Sequence, residues 1–552
     1  MSDEIKHECA VAWIRLRTPS ITASAGLAKL ALLLEKQHNR GQDGAGLAAL
    51  RLDPVPGEPA YRVVKSAASN PLADLLGRTA HLCDGFDARL FLGHLRYATF
   101  GRGDVDFCHP FVHKSSCLNR TLLLAGNFNL TNTHDVFVEY ARLGHHPDST
   151  ADGAIVTQCL AHALGTILDA AGTPAASLSA EQIATAFRQT LPRFDGAYTL
   201  CGLTADGWGF AVRDAHGIRP GYYHLGADFA VVASERPAIQ AAFDCRTEDV
   251  AELPPGRLLL VSPAGDISWH DVLPPAAKRS CVFERIYFSR ANDADIHRER
   301  KALGAALARP ILEAVDYDFE HTFFSYIPNS AHVAFHGLLE ALWTEGLAEG
   351  RPVRFGQIAV KDAKFRTFIA DAAARREFYK HVYDVTYGLV RPHVDTLVVL
   401  DDSIVRGNTM KNAILPMLDR LSPKRIVVAS SAPPIRYPDC YGIDMSSLDE
   451  LVAFRALVNL LGASADFTLP LKDLYARFSE KTLSDEIARL LTPPGMKAQV
   501  DVVFQTVDAL HRCCPDHTGD WYFTGDYPTP GGFKVLARAV QNHLTRSTAR
   551  SY

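Results

Sequence analysis

The chain has 552 residues, which at roughly 150 per domain makes two to four domains and excludes a single small module. Hydrophobic residues are 47% and charged residues 22%, enough apolar material for more than one core and too much for wholesale disorder. Lys plus Arg number 57 against 62 Asp plus Glu, and the net charge of −5 excludes the basic excess of a general nucleic-acid binder. At the start, Met1 to Glu8 is charged where a secretory signal is apolar. No apolar run approaches the ~18 residues of a bilayer span, so the expectation is a cytoplasmic protein with no membrane partner. The 11 cysteines are odd in number and thinly spread, which points to thiols rather than a disulfide framework. Up to about residue 265, short β-like runs at Leu90–Leu95, Thr121–Ala125, Ala197–Leu203 and Phe229–Ala233 alternate with helical patterns at Ser24–Gln37 and Asp152–Leu168. This is the text of a layered α plus β domain. The turn-rich segment Ser262–Arg279, with Pro263, Gly265, Pro274 and Pro275, marks its end. From about residue 280, buried strands precede helices: Thr396–Leu400, then Thr409–Leu421, then Arg425–Ser430, the rhythm of a parallel sheet. Beyond about residue 490 a smaller element ends in a helix at Gly532–Leu544. The division expected is a leader at 1–8, domains at 9–265 and 280–490, and a C-terminal extension at 491–552.

Cys9 lies in His7-Glu8-Cys9-Ala10-Val11, directly after the charged octapeptide. With residues 1–8 removed it carries a free α-amino group, whose ordinary pKa of ~7.7 to 8.0 suits a general base near neutrality. One residue then supplies both nucleophile and base, the pairing that attack on an unreactive amide needs. The plain alternative for a single cysteine is a buried thiol.

In the second half, the strand Thr396–Leu400 runs into Asp401 and Asp402, then Ser403, Ile404, Val405, Arg406, Gly407, Asn408 and Thr409, then a helix. That order puts backbone N–H groups and hydroxyls at a helix N-terminus, where unpaired donors and the macrodipole favour a phosphate. Two adjacent carboxylates repel an anion by themselves, and make sense facing sugar hydroxyls or a Mg²⁺ that bridges to pyrophosphate oxygens. The plain alternative is a strand-to-helix turn with a solvated acidic pair.

The Thr396–Thr409 string closely resembles the phosphoribosyl pyrophosphate signature of type I phosphoribosyltransferases, and its Ser403-Ile404-Val405-Arg406-Gly407 core is similar to that of the amidophosphoribosyltransferases. Ile327-Pro328-Asn329-Ser330 resembles that family's pyrophosphate loop, and Lys364-Phe365-Arg366 the start of its flexible loop. In the first half, Gln37 to Gly46, Gly93-His94-Leu95-Arg96-Tyr97-Ala98-Thr99 and Gly126-Asn127-Phe128 resemble segments of the class II glutamine amidotransferases, some of which carry a leader before the cysteine. The resemblance implies an α+β N-terminal nucleophile hydrolase domain layered αββα, followed by an α/β parallel-sheet phosphoribosyltransferase domain. It implies Cys9 as nucleophile, Asn127 with the backbone N–H of Phe128 as oxyanion donors, and Arg96, Thr99 and Asp152 as glutamine ligands. For the ammonium ligand the segment Asp148 to Asp152 offers two acids, with Asp152 preferred. Phosphoribosyl pyrophosphate would meet Arg366, Asp401, Asp402, Ser403, Val405, Arg406, Gly407, Asn408 and Thr409, with Mg²⁺ on Ser330, Asp401 and Asp402.

The sequence departs from the family at Asn329, Ala331 and Asn408, where Asp, Gly and Thr are usual, and at Gly126 and Phe128, where His and Gly are usual. Some members hold a 4Fe–4S cluster on four thiolates. Cys281 and Cys440 match two of those positions, Gly519 and Tyr522 stand at the others, and Cys513 and Cys514 lie nearby, so no cluster is expected. The function implied is synthesis of 5-phosphoribosylamine from glutamine and phosphoribosyl pyrophosphate, in a homo-oligomer, dimer or tetramer, inhibited by purine nucleotides. Two rival readings are a class II amidotransferase with another acceptor and a non-catalytic nucleotide-binding regulator.

Overall fold

The computed structural model describes residues 8–552 apart from 99, 100, 102, 148, 173–176, 345–349, 362–382, 463–465, 548 and 550–552. The first half supplies β1 (Ala10–Leu16), β2 (Gly44–Leu50), β3 (Tyr61–Ser66), β4 (Leu90–Arg96), β5 (Phe111–His113), β6 (Leu122–Leu130), β7 (Gly196–Thr204), β8 (Gly209–Arg213), β9 (Tyr222–Leu225), β10 (Phe229–Ala233), β11 (Ala251–Glu252), β12 (Arg257–Val261) and β13 (Ile267–Asp271). They form two antiparallel sheets, ordered β11-β9-β10-β1-β4-β2-β3 and β13-β12-β8-β7-β6-β5. Side chains of a strand alternate between faces, and the burial follows that period. Along β1, Ala10, Ala12, Ile14 and Leu16 join the core under the helices Ala23–Lys36 and Arg236–Phe243, while Val11 and Trp13 join the core between the sheets. Along β6, Leu122 and Leu124 meet the helices Asp152–Ala170 and Ala180–Thr190, while Leu123 and Ala125 face the first sheet. The half is therefore four layers, helices outside two sheets.

The helix Asp152–Ala170, of 19 residues, has the length and apolarity of a membrane span. Here Ile155, Val156, Leu160, Leu164 and Leu168 pack into the core beneath the second sheet. The segment Ser262–Arg279, expected to hold the end of the first domain, contains β13, which closes a hairpin with β12, so the chain leaves this sheet only after Asp271.

The second half adds β14 (Thr322–Tyr326), β15 (Arg354–Phe355), β16 (Ala359–Lys361), β17 (Tyr383–Val385), β18 (Thr396–Asp401), β19 (Arg425–Ser430) and β20 (Gln499–Phe504). β15-β14-β18-β19-β20 make a parallel sheet, and β16 pairs with β17 as a hairpin. Both faces are buried: Leu397 and Val399 of β18 enter one core, Val398 and Leu400 the other. Residues 491–552, set apart in the sequence as an extension, supply β20, which pairs with β19 in parallel with Val502 opposite Val428. Their last helix, Pro530–Thr545, starts against the first half, where the Thr529 hydroxyl (2.5 Å) and the Gly531 N–H (2.8 Å) donate to the Asp195 carboxylate. The continuous helix expected over Thr409–Leu421 is instead a wide π turn at Met410–Ile414 followed by Leu415–Asp419. Pro416 has no N–H to give the regular helical bond there.

Candidate active site

β1 begins one residue after Cys9 and pairs with β4, Ala10 opposite Leu95, which sets the thiol beside the segment that follows Arg96. The Tyr97 N–H donates to Cys9 Sγ at 3.3 Å, and the Tyr97 carbonyl accepts from the thiol at 3.7 Å. Burial pushes the thiol up to about 11, against the pull of the Tyr97 backbone and of Arg96. It is protonated at neutral pH, so a nucleophile here needs a base. Arg96 is buried, its Nη1 donates to the Gly101 carbonyl at 3.0 Å, and its guanidinium lies over the Phe107 ring. Asp43 braces this segment: its N–H donates to the Arg96 carbonyl at 3.0 Å and its carboxylate accepts from the Ala98 N–H at 3.1 Å. Asp152 is the first residue of its helix and accepts from the Gly153 N–H at 2.8 Å. Burial pushes the Asp152 carboxyl up to about 6, with the Gly153 bond and Arg96 pulling the other way. Arg96 and Asp152 both act on the charge of Cys9, so three of the predicted residues share one site. Thr99 lies outside the described residues.

Asn127 is buried on β6 opposite Thr199, and its amide donates to Glu8 Oε2 at 3.4 Å. Phe128, where the family usually has Gly, continues the strand opposite Tyr198 in an extended backbone that any residue adopts. Gly126 is required by close approach: a Cβ there would come 2.7 Å from the Thr199 carbonyl oxygen. Its own carbonyl, which can only accept, lies 3.0 Å from His94 Nε2, so Nε2 donates, and burial pushes His94 down to about 3, which keeps the ring neutral.

Behind Asn127 lies a buried ion network that the sequence reading left without roles. Arg40 is fully buried, with Nε donating to Glu235 at 2.7 Å and Nη2 to Glu284 at 2.6 Å. Burial opposes its charge, but Glu284 and Glu235 outweigh that and hold it above the ordinary value. Arg219, equally buried, pairs with Glu8 and donates to the Tyr441 carbonyl. The signal in the sequence was Arg219, Glu235 and Glu284 among small or apolar neighbours, but nothing there paired them with each other, with Arg40 or with Glu8.

In the second half, β18 delivers Asp401 to the rim of a cavity of about 970 Å³ that Ser330, Asp402, Ser403, Val405, Arg406, Gly407 and Thr409 also line. Asn408 is exposed just outside it. Gly407 sits at φ 78°, a left-handed backbone that glycine reaches without penalty, and a Cβ there would strike Leu491 at 2.3 Å. Asp402 accepts from the Ser330 hydroxyl and, at 2.9 Å, from Ser403. Arg406 is held by Glu450 at 2.7 Å and by the Asp444 carbonyl at 2.8 Å. Arg366 lies outside the described residues. Asn39 and Gln42 of the first half line the same cavity.

The residues at the cluster positions do not fit a 4Fe–4S group. The Tyr522 hydroxyl lies 3.5 Å from Cys281 Sγ, accepts from the Phe283 N–H at 2.8 Å and donates to the Gly519 carbonyl at 3.2 Å. Its fully buried ring fills the space beside Cys281. Cys513 and Cys514 end another helix, where the neighbours of Cys514 are Glu299 and Arg285 rather than the Arg219 and Glu284 beside Cys281. Cys281 and Cys440 alone are too few thiolates.

No family model matches the chain. Among curated proteins it is similar to the amidophosphoribosyltransferase of Bacillus subtilis (strain 168), 30% identical over 460 residues, covering 81% of this chain and 84% of that protein. The amidophosphoribosyltransferases of Escherichia coli (27% identical, 79% and 83% covered) and Mus musculus (26%, 81% and 84%) are similar over the same extent. Among solved structures, the glutamine phosphoribosylpyrophosphate amidotransferase from B. subtilis complexed with ADP and GMP superposes with a TM-score of 0.68 at 24% identity, over 94% of this chain and 97% of that one. With a relative 30% identical and covered to 84% of its length, the chain belongs to the amidophosphoribosyltransferase family.

Proposed function

We propose that the chain converts glutamine, phosphoribosyl pyrophosphate and water to 5-phosphoribosylamine, glutamate and pyrophosphate, the opening step of purine synthesis. One observation supports this reading: a single cavity is lined by the phosphate cradle and by Asn39 and Gln42 of the first half, and Gln42 precedes Asp43, which braces the segment after Arg96. Hydrolysis of the Glu8–Cys9 bond leaves Cys9 as the first residue, and its α-amine takes the proton that the buried thiol otherwise keeps. Sγ then attacks the glutamine side-chain carbonyl, while Arg96 holds the substrate carboxylate and Asp152 its ammonium. Asn127 and the Phe128 N–H stabilise the oxyanion. Ammonia leaves towards the cavity, and water cleaves the thioester to release glutamate.

At the other end, Ser403 to Thr409 hold the 5-phosphate and the anomeric carbon accepts ammonia as pyrophosphate departs. Ser330, Asp401 and Asp402 offer hard oxygen donors at the cavity wall. Among the described residues no three His, Cys, Asp or Glu side chains converge, which fits a Mg²⁺ that keeps its waters and takes one or two carboxylates plus substrate phosphates. When bound, it would neutralise charge on the departing pyrophosphate. Purine nucleotides as inhibitors and a homo-oligomeric state belong to the same proposal; the solved B. subtilis relative is complexed with ADP and GMP. Purified protein should release glutamate and pyrophosphate together, and only with both substrates present. Pyrophosphate release that ignores glutamine and ammonia, or binding of nucleotide with no glutamate formed, would overturn the reading.

A further inference from the structure

The carboxylate of Glu8 is 1% exposed, an unusual place for the last residue of a segment that is to be discarded. One oxygen, Oε2, accepts from the Asn127 amide at 3.4 Å and lies 3.7 Å from Arg40 Nη1; the other, Oε1, pairs with Arg219 Nη1. Two of these three partners are fully buried guanidiniums, and the third is the amide proposed to receive the oxyanion. Arg40 has Glu235 and Glu284 as well. For Arg219, Glu8 is the one carboxylate within ion-pair distance among the described residues. A buried cation that loses its carboxylate is costly unless another anion replaces it.

We propose that Arg219, Arg40 and Asn127 form an anion pocket for the γ-carboxylate of glutamate, which the leader residue Glu8 fills until it is removed. This rests on the reading of Asn127 given above. The side chains of Glu8 and of free glutamate are chemically the same, two methylenes and a carboxylate, so the leader carries a tethered copy of the product. The pocket supplies a positive potential where charge develops on the glutamine carbonyl, and it makes the full-length chain unable to admit substrate whatever the state of its terminal amine. Arg219 is then a positioning residue for the nitrogen-releasing half-reaction.

The test uses full-length chains carrying Cys9→Ala, with retention of residues 1–8 checked by intact mass, and calorimetric titration with glutamate. Cys9→Ala alone should bind glutamate at least tenfold more weakly than Glu8→Ala/Cys9→Ala, in which the pocket is open although the leader is still attached. Adding Arg219→Gln should remove that gain and Arg219→Lys should restore part of it, a recovery that a purely structural loss would not give. The double variant should also melt at a lower temperature than Cys9→Ala, and glutamate should raise its midpoint. Equal glutamate binding by Cys9→Ala and Glu8→Ala/Cys9→Ala would overturn the pocket and leave the glutamine site standing. Absence of binding by every variant would overturn both.

Discussion

The thiol site and the phosphate cradle handle charge in opposite ways. At the thiol end, charges are buried and already paired: Arg40 with Glu235 and Glu284, Arg219 with Glu8. Cys9 and Asp152, the two groups proposed to ionise there, are pushed up by desolvation to about 11 and about 6. At the cradle end, Asp401 and Ser403 are part-exposed at the wall of a roughly 970 Å³ space, and Asp402 is bound by small hydroxyls. The difference teaches that charge at the first site is preorganised by the fold, whereas the second keeps part-exposed polar groups at a cavity wall, as the proposed phosphate and Mg²⁺ ligands require.

The strongest way to break this contrast is Cys9→Ala. Glutamine-dependent synthesis should fall by about 10³-fold or more, while ammonia-dependent synthesis stays within about twofold, measured as pyrophosphate release with each nitrogen source. Loss of both would mean the ends are not separable. Arg40→Ala should cost about 3–5 kcal/mol in urea denaturation, because it leaves Glu235 and Glu284 buried without their cation. Asp402→Asn should lower synthesis from either nitrogen source by about 10²-fold and raise the Mg²⁺ concentration needed for half-maximal rate. The smallest effect is pH-dependent. With Asp152 at about 6, its carboxyl is charged at pH 7 and neutral below 6, so attraction for the glutamine ammonium is lost as the pH falls. KM for glutamine should rise about tenfold from pH 7 to pH 5, and Asp152→Asn should start high and stay flat across that range.

What the sequence made legible was contiguous. The cradle reads directly because strand, acid pair, hydroxyls, Gly407 and helix follow one another within a single loop, and Arg425–Ser430 is β19 to the residue. Of the parallel sheet the sequence showed β18 and β19 but not β14, β15 or β20, and the short alternation around Val500 and Val502 in β20 is too brief to stand out from a tail. The break at Met410–Ile414 follows from Pro416, a residue whose missing donor was on the page. The ion network was not legible, because Arg40 meets Glu235 and Glu284 across 195 and 244 positions of chain and nothing local pairs them. Glu8 is the sharpest case. It read as the last letter of a charged leader, yet the fold buries it against Arg219, a partner that only the juxtaposed sheets bring near.

The account stands on one internal route for nitrogen between the two ends, and isotope transfer tests it most directly. The active protein would be given glutamine labelled with ¹⁵N at the side-chain amide, together with phosphoribosyl pyrophosphate and an excess of unlabelled ammonium. One label should enter 5-phosphoribosylamine for each glutamate released, whatever unlabelled product external ammonia adds beside it. Label diluted to the composition of the surrounding ammonium pool would contradict it.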